Sequence, residues 1–199
     1  MGGVLIDLDI EACKKSFKEI VGYKYTDDML DPSHGMGLYA KIEEGVISAE
    51  EFRMLIRKDS RPNVSDEEIN QAMWSLLIGV QAYKIPLLIE LSQQYDLFLL
   101  SNNNPISWKR CKELFEESGL PVDRIFKQSF LSFEMKKLKP CQEIFEEIIS
   151  AIPEYSAEEM LFIDDSVKNT TAAARCGLQV LHFPQEYNLR DSLQKYGII

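Results

Sequence analysis

Two adjacent carboxylates, Asp164 and Asp165, close the apolar run Leu161-Phe162-Ile163 and lead into Ser166-Val167-Lys168-Asn169. Side-by-side carboxylates repel, so the pair is costly unless a cation or a proton compensates it. A hard divalent ion that prefers oxygen ligands, most simply Mg²⁺, meets that demand. Taken alone, the dipeptide is equally well read as a solvated strand end and helix cap.

The elements around the pair decide between these readings. The apolar run is a buried strand, and the Ala-rich stretch from Thr170 to Arg175, stopped by Gly177, is the start of a helix. In an open parallel α/β sheet, ligands bind beyond the carboxyl ends of the strands, which is where the two carboxylates fall. The same alternation runs from about residue 84 onward. A helix over 86–94 precedes the strand Leu97-Phe98-Leu99-Leu100-Ser101, and Asn104-Pro105 caps and opens a helix reaching about Ser118. Residues 125–132 are a further strand, Lys139-Pro140 introduces a helix carrying Ile144, Phe145, Ile148 and Ile149, and a strand over 179–183 and a terminal helix to about Tyr196 follow. Strand and helix in alternation imply a parallel sheet with right-handed crossovers.

Residues 11–83 have a different character. Cys13, Phe17, Ile20 and Val21 keep helical spacing, and Ser48-Ala49-Glu50-Glu51 and Ser65-Asp66-Glu67-Glu68 match capping boxes. With no strand signal in this stretch, the expected fold class is α/β: a Rossmann-like parallel core over 1–10 and 84–199, with a small all-helical cap over 11–83.

Composition excludes several functions. The 199 residues are 45% hydrophobic and 27% charged, with a net charge of −10 and no basic stripe, which argues against nucleic acid or an anionic membrane as partner. Without a long apolar span or a basic-apolar leader, the expected location is cytoplasmic. The four cysteines, Cys13, Cys111, Cys141 and Cys176, form no C-x-x-C and are expected to be reduced thiols. The histidines, His34 and His182, lie in no hydrolase signature, so Cys/His or Ser/His catalysis is not expected.

The order Ser101-Asn102, then Lys139-Pro140, then Asp164-Asp165 with Asn169 resembles the haloacid dehalogenase (HAD) superfamily, in the branch with a small helical cap. The resemblance spans the whole chain. It implies that Ser101 and Asn102 hold the transferring phosphoryl group and that Lys139 neutralises phosphate and nucleophile. It also implies that Asp164, Asp165 and Asn169 hold Mg²⁺, with Asp165 favoured by spacing as a direct ligand and Asp164 and Asn169 binding directly or through water. These roles suit phosphoryl transfer, which depends on positioning and charge compensation.

The first motif departs from the family. Its nucleophilic aspartate stands in a string of the type Asp-x-Gly-Gly-Val-Leu, and here Met1-Gly2-Gly3-Val4-Leu5 begins at the x position. One reading places the nucleophile, and the central strand that carries it, immediately before Met1. The other slides Val4 to Leu8 into that strand, so that Asp7 and Asp9 become nucleophile and acid/base. The Gly pair and the following helix align without strain under the first, which is the expectation adopted. Gly2 then stands where many relatives carry the aspartate that protonates the leaving group, so a good leaving group such as a sugar 1-phosphate is expected.

The function implied is a Mg²⁺-dependent phosphatase of small phosphorylated metabolites, sugar phosphates first, acting through an aspartyl-phosphate and impaired in this chain. A 2-haloacid dehalogenase would leave the acidic pair surplus; a degenerate phosphate-binding module is the remaining alternative. Tyr39, Trp74 and Trp108 could line the cap, although aromatic residues at helical spacing are more often core.

Overall fold

The computed structural model describes residues 1–29 and 37–199; His34 lies outside the described residues. Strand β1 (Ile6–Leu8) leads into α1 (Ile10–Ser16), whose first turn is capped by the Asp9 carboxylate accepting the Ala12 N–H at 2.8 Å. A π-helical turn, Phe17–Val21, extends it. Helices α2 (Thr26–Met29), α3 (Leu38–Glu43), α4 (Ala49–Lys58) and α5 (Asp66–Trp74) follow. Both expected capping boxes form, Ser48 with Glu51 and Ser65 with Glu68. The apolar faces of these helices bury Cys13, Phe17, Ile42, Phe52, Ile56, Ile69 and Met73 in one cluster, to which Ile106 is the contribution from further along the chain.

One expectation for this stretch is corrected. Leu77 does not continue the helix: α5 stops at Trp74, and Leu77–Val80 forms strand β2, antiparallel to β1. The β-branched Ile78 and Val80 suit a pleated strand, and Gly79 takes a φ of 148 that a helix interior would not hold.

Beyond the hairpin come α6 (Lys84–Ser92), β3 (Phe98–Ser101), α7 (Pro105–Glu117), α8 (Val122–Ile125), β4 (Gln128–Leu131) and α9 (Ser132–Met135). The chain finishes with α10 (Gln142–Ala151), β5 (Leu161–Asp164), α11 (Val167–Arg175), β6 (Gln179–His182) and α12 (Leu189–Tyr196). Strands β3 and β4 pair in parallel, as do β5 and β6. Both pairs end at the same side, where Ser101 and Asp164 are the last residues of β3 and β5.

The two parallel pairs are not hydrogen-bonded to one another. Between them lies an apolar cleft of about 620 Å³, walled by Phe98–Leu100 of β3 and Leu161–Ile163 of β5 and reached by Met1, Val4 and Leu5. The cleft runs alongside β3 and β5 for most of the length of both strands. Among the described residues, no helix is long and apolar enough to cross a membrane.

Candidate active site

At the C-terminal ends of β3 and β5 a polar cavity of about 160 Å³ opens, lined by Ser101, Asn102, Lys139, Asp164, Asp165 and Asn169, all six residues singled out from the sequence. Met1, Gly2, Tyr39 and Glu43 complete the wall relevant to chemistry. Met1 borders both this cavity and the apolar cleft, so the two meet at the first residue.

The local sequence explains how each group is positioned. Ser101 is the buried end of β3, and the Asn102 side chain clamps the lysine loop, its Nδ2 donating to the Lys139 carbonyl at 3.0 Å and its Oδ1 accepting the Lys139 N–H at 2.9 Å. Lys139 is thereby aimed inward, where Nζ donates to Asp164 Oδ2 at 2.6 Å and sits 5.3 Å from the centre of the Phe162 ring. The other Asp164 oxygen accepts the Ser166 N–H at 3.0 Å and the Asn169 amide at 2.8 Å. Burial pushes the Asp164 carboxyl up, but Lys139 and these donors outweigh it and hold the group below the ordinary carboxylate value.

Asp165 is placed differently although it is the next residue. Its side chain lines the polar cavity and, among the described residues, takes no side-chain donor; partial burial and the neighbouring Asp164 charge raise its pKa. Its backbone carbonyl lies 3.0 Å from His182 Nε2, which ties the loop to the end of β6. Gly3, at φ 77, lets the N-terminal turn lie directly on this carboxylate, since a Cβ there would come within 2.3 Å of Oδ2. Gly3→Ala is thus expected to displace Asp165 as well as to strain the turn, lowering metal affinity about tenfold in a Mg²⁺ titration.

The donor set suits Mg²⁺ in a particular way. Among the described residues, no cluster of three or more His, Cys, Asp or Glu could hold a metal by itself. Mg²⁺ commonly uses one or two carboxylates and completes its octahedron with water and substrate phosphate. Asp165, which takes no side-chain donor among the described residues, fits that pattern better than Asp164, which is committed to Lys139.

Asp7 and Asp9 stand away from this constellation. Asp7 pairs with the buried Lys84 Nζ at 2.9 Å and accepts from Gln81, and Asp9 caps α1. The sliding alignment is therefore corrected: β1 pairs antiparallel with β2 and not between β3 and β5, so its carboxylates face the wrong partners. Asp7→Asn is expected to leave turnover per folded molecule intact while costing about 3 kcal/mol of stability in denaturant melts, because Lys84 stays buried with a weakened partner.

Of the aromatic candidates, Tyr39 borders the cavity, whereas Trp74 donates its indole N–H to the Ile106 carbonyl at 2.9 Å and Trp108 packs on the core. Burial raises Cys13 to about 12 and Cys111 to about 11, leaving both as inert thiols. Sequence reasoning missed Glu43, which in Glu43-Glu44-Gly45 reads as a solvated helix end. Burial lifts its carboxyl to about 7, against the opposing pull of Lys139 and the Tyr39 hydroxyl. The folded protein keeps this proton to about pH 7 and the unfolded chain releases it near 4.5, so stability is lost as pH rises between the two. Glu43→Gln is expected to melt with wild type at pH 4.5 and about 10 °C higher at pH 8 in thermal scans.

Fold and site together define an α/β protein with a polar cavity at the strand ends, walled by a buried Lys139–Asp164 pair, Asp165 and residues of the helical stretch. Residues 3–177 match the family described as haloacid dehalogenase-like hydrolase. The chain is 31% identical to D-ribitol-5-phosphate phosphatase of Bacteroides thetaiotaomicron, over all of this chain and 94% of that protein. It superposes with a TM-score of 0.88 on a HAD family enzyme of the same organism crystallised with magnesium and inorganic phosphate, at 35% identity, covering 96% of this chain and 94% of that one. An aspartate-to-alanine mutant of that enzyme, also with magnesium and phosphate, gives 0.89 at the same identity, again covering 96% and 94% of the two chains. A HAD-like hydrolase of Porphyromonas gingivalis gives 0.88 at 32% identity, covering 98% and 93% of the two chains. The chain belongs to the haloacid dehalogenase-like hydrolase family, and it is an enzyme of the hydrolase class.

Proposed function

We propose that this protein is a Mg²⁺-dependent phosphatase of small phosphorylated polyols and sugars. The observation that carries the reading is the 160 Å³ cavity itself, which gathers a buried ammonium, a strand-end hydroxyl and an unengaged carboxylate at the ends of two parallel strands. Lys139 compensates the phosphoryl charge, Ser101 orients it, and Asp165, assisted by Asn169, holds the metal. When bound, Mg²⁺ supplies charge neutralisation at the phosphoryl oxygens. Residues 11–83 act as the cap that excludes water. The likeness to a D-ribitol-5-phosphate phosphatase and to an enzyme crystallised with magnesium and phosphate supports both metal and substrate class.

The nucleophile belongs to a strand seated in the cleft between β3 and β5. That cleft is apolar, lies alongside both strands, and runs to Met1 at the edge of the site. A strand there, parallel to its neighbours, would bring its last carboxylate to the cavity, where it attacks phosphorus to form the aspartyl-phosphate.

The test is Mg²⁺-dependent phosphate release from p-nitrophenyl phosphate by the 199-residue chain, by the same chain with an apolar strand ending in aspartate joined ahead of Met1, and by an Asp165→Ala control of each. Turnover by the extended chain alone supports the full reading. Turnover by the 199-residue chain refutes the placement of the nucleophile, and Mg²⁺-independent turnover refutes the metal role.

A further inference from the structure

The mechanism so far leaves one step without a residue: protonation of the departing alcohol. Gly2 has no side chain to offer. The ionisable groups around the cavity are the Met1 amine, which burial and then Lys139 lower to about 6, and the side chains of Tyr39, Glu43, Cys111, Lys139, Asp164 and Asp165; the amine becomes a peptide nitrogen in a chain extended ahead of Met1. Lys139 and Asp164 are joined to each other at 2.6 Å, and Asp165 is reserved for the metal. Burial holds the Cys111 thiol near 11 and Tyr39 well above its ordinary value, so neither gives up a proton readily at neutral pH.

Glu43 remains, and its placement is built rather than incidental. It is the last residue of α3, and its backbone carbonyl accepts the Ser132 Oγ–H at 2.6 Å. Two residues on, the Gly45 carbonyl accepts from Lys136 Nζ at 2.7 Å, and a Cβ on Gly45 would come within 2.2 Å of the Phe133 carbonyl. The end of α3 is thus clasped onto α9 by contacts that only a glycine permits. The side chain enters the cavity from the helical layer, held by the Tyr39 hydroxyl and facing the Lys139 charge. A cavity of 160 Å³ equals roughly five water volumes, about what a phosphate group and its ester oxygen occupy. A phosphoryl group held by Ser101 and Lys139 on the core side would leave its ester oxygen toward the wall formed by Tyr39 and Glu43.

We propose that Glu43 is the general acid of the reaction. This rests on the phosphatase reading. As the nucleophile's oxygen bonds to phosphorus, the bond from phosphorus to the ester oxygen breaks, its electron pair stays on that oxygen, and the Glu43 carboxyl proton passes to it. In the second step a water oxygen attacks phosphorus, the aspartyl oxygen leaves with its electron pair, and Glu43 takes the water's proton, restoring both groups. An acid at this position removes the need for a good leaving group, so the substrate class is alkyl phosphate monoesters of polyols, in place of the sugar 1-phosphates that Gly2 alone suggested. A group that is still half protonated at about pH 7 is suited to both steps.

The experiment compares Glu43→Gln with wild type, in whichever of the two chains of the phosphate-release test turns over, on D-ribitol 5-phosphate and on p-nitrophenyl phosphate. The alkyl ester is expected to lose about 100-fold in kcat and the aryl ester, whose phenolate departs unaided, about threefold. With the alkyl ester, the wild-type rate should fall as pH rises through about 7, where Glu43 loses its proton, and the variant should lack that limb. Equal losses on both esters, or a limb that persists in the variant, overturn the acid role while leaving the phosphatase reading standing. A wild type that hydrolyses neither ester removes both.

Discussion

Asp165→Ala is expected to abolish Mg²⁺-dependent turnover, by about 10³-fold or more, in any chain of this protein that hydrolyses phosphate esters. The metal is worth several kcal/mol of charge stabilisation to the transferring phosphoryl group, and each 1.4 kcal/mol is about tenfold in rate. Asp165 is the residue to remove because, among the described residues, its oxygens take no side-chain donor, while both oxygens of Asp164 are occupied by Lys139, Ser166 and Asn169. A Mg²⁺ titration by calorimetry should show the heat of binding disappear, and chelation of wild type should reproduce the defect. The variant should fold as well as wild type, since Asp165 is partly desolvated beside a like charge and gains nothing from its ionised form until a cation arrives. Retained metal binding in Asp165→Ala would transfer the ligand role to Asp164.

Lys139→Ala is expected to do two separable things. Phosphate affinity should fall by more than about 100-fold, since the lysine ammonium lining the cavity is gone. Stability should fall as well, by about 3 kcal/mol or more, because Asp164 is 4% exposed and would be left as an unpaired buried charge. With the Asp164 pKa held low, the contribution of the pair is complete above the ordinary carboxylate range and is lost only as pH falls below it, so the full cost is felt at pH 7. The double variant with Asp164→Asn separates the effects: thermal stability should return, and phosphate binding should not. Recovery of both would make Lys139 a purely structural residue.

The larger part of the site was readable because its signals are local. A strand running into two carboxylates and then a Ser-capped helix is an arrangement over a few residues, and β5 and α11 form where Leu161-Phe162-Ile163 and Ser166 call for them. The same holds for Asn104 capping α7 and for the two capping boxes, whose donors and acceptors lie two or three residues apart. Burial of apolar runs and satisfaction of helix ends are decided within one element, and the sequence states them outright.

What the tertiary structure alone decided are the meetings of distant residues. Asp7 could be read as a nucleophile until Lys84, 77 residues away, was found beside it. Glu43 looked like a surface helix end until Ser132, 89 positions later, was seen to fix its backbone over the cavity. Leu77 fitted a helix until β1 offered it a ladder, and the division of the core into two parallel pairs around an apolar cleft is written in no local pattern. Periodicity reports which face of an element is buried but not which element covers it, so the sequence by itself determined the chemical groups and their order, and the packing determined which of them share a site and which proton each one holds.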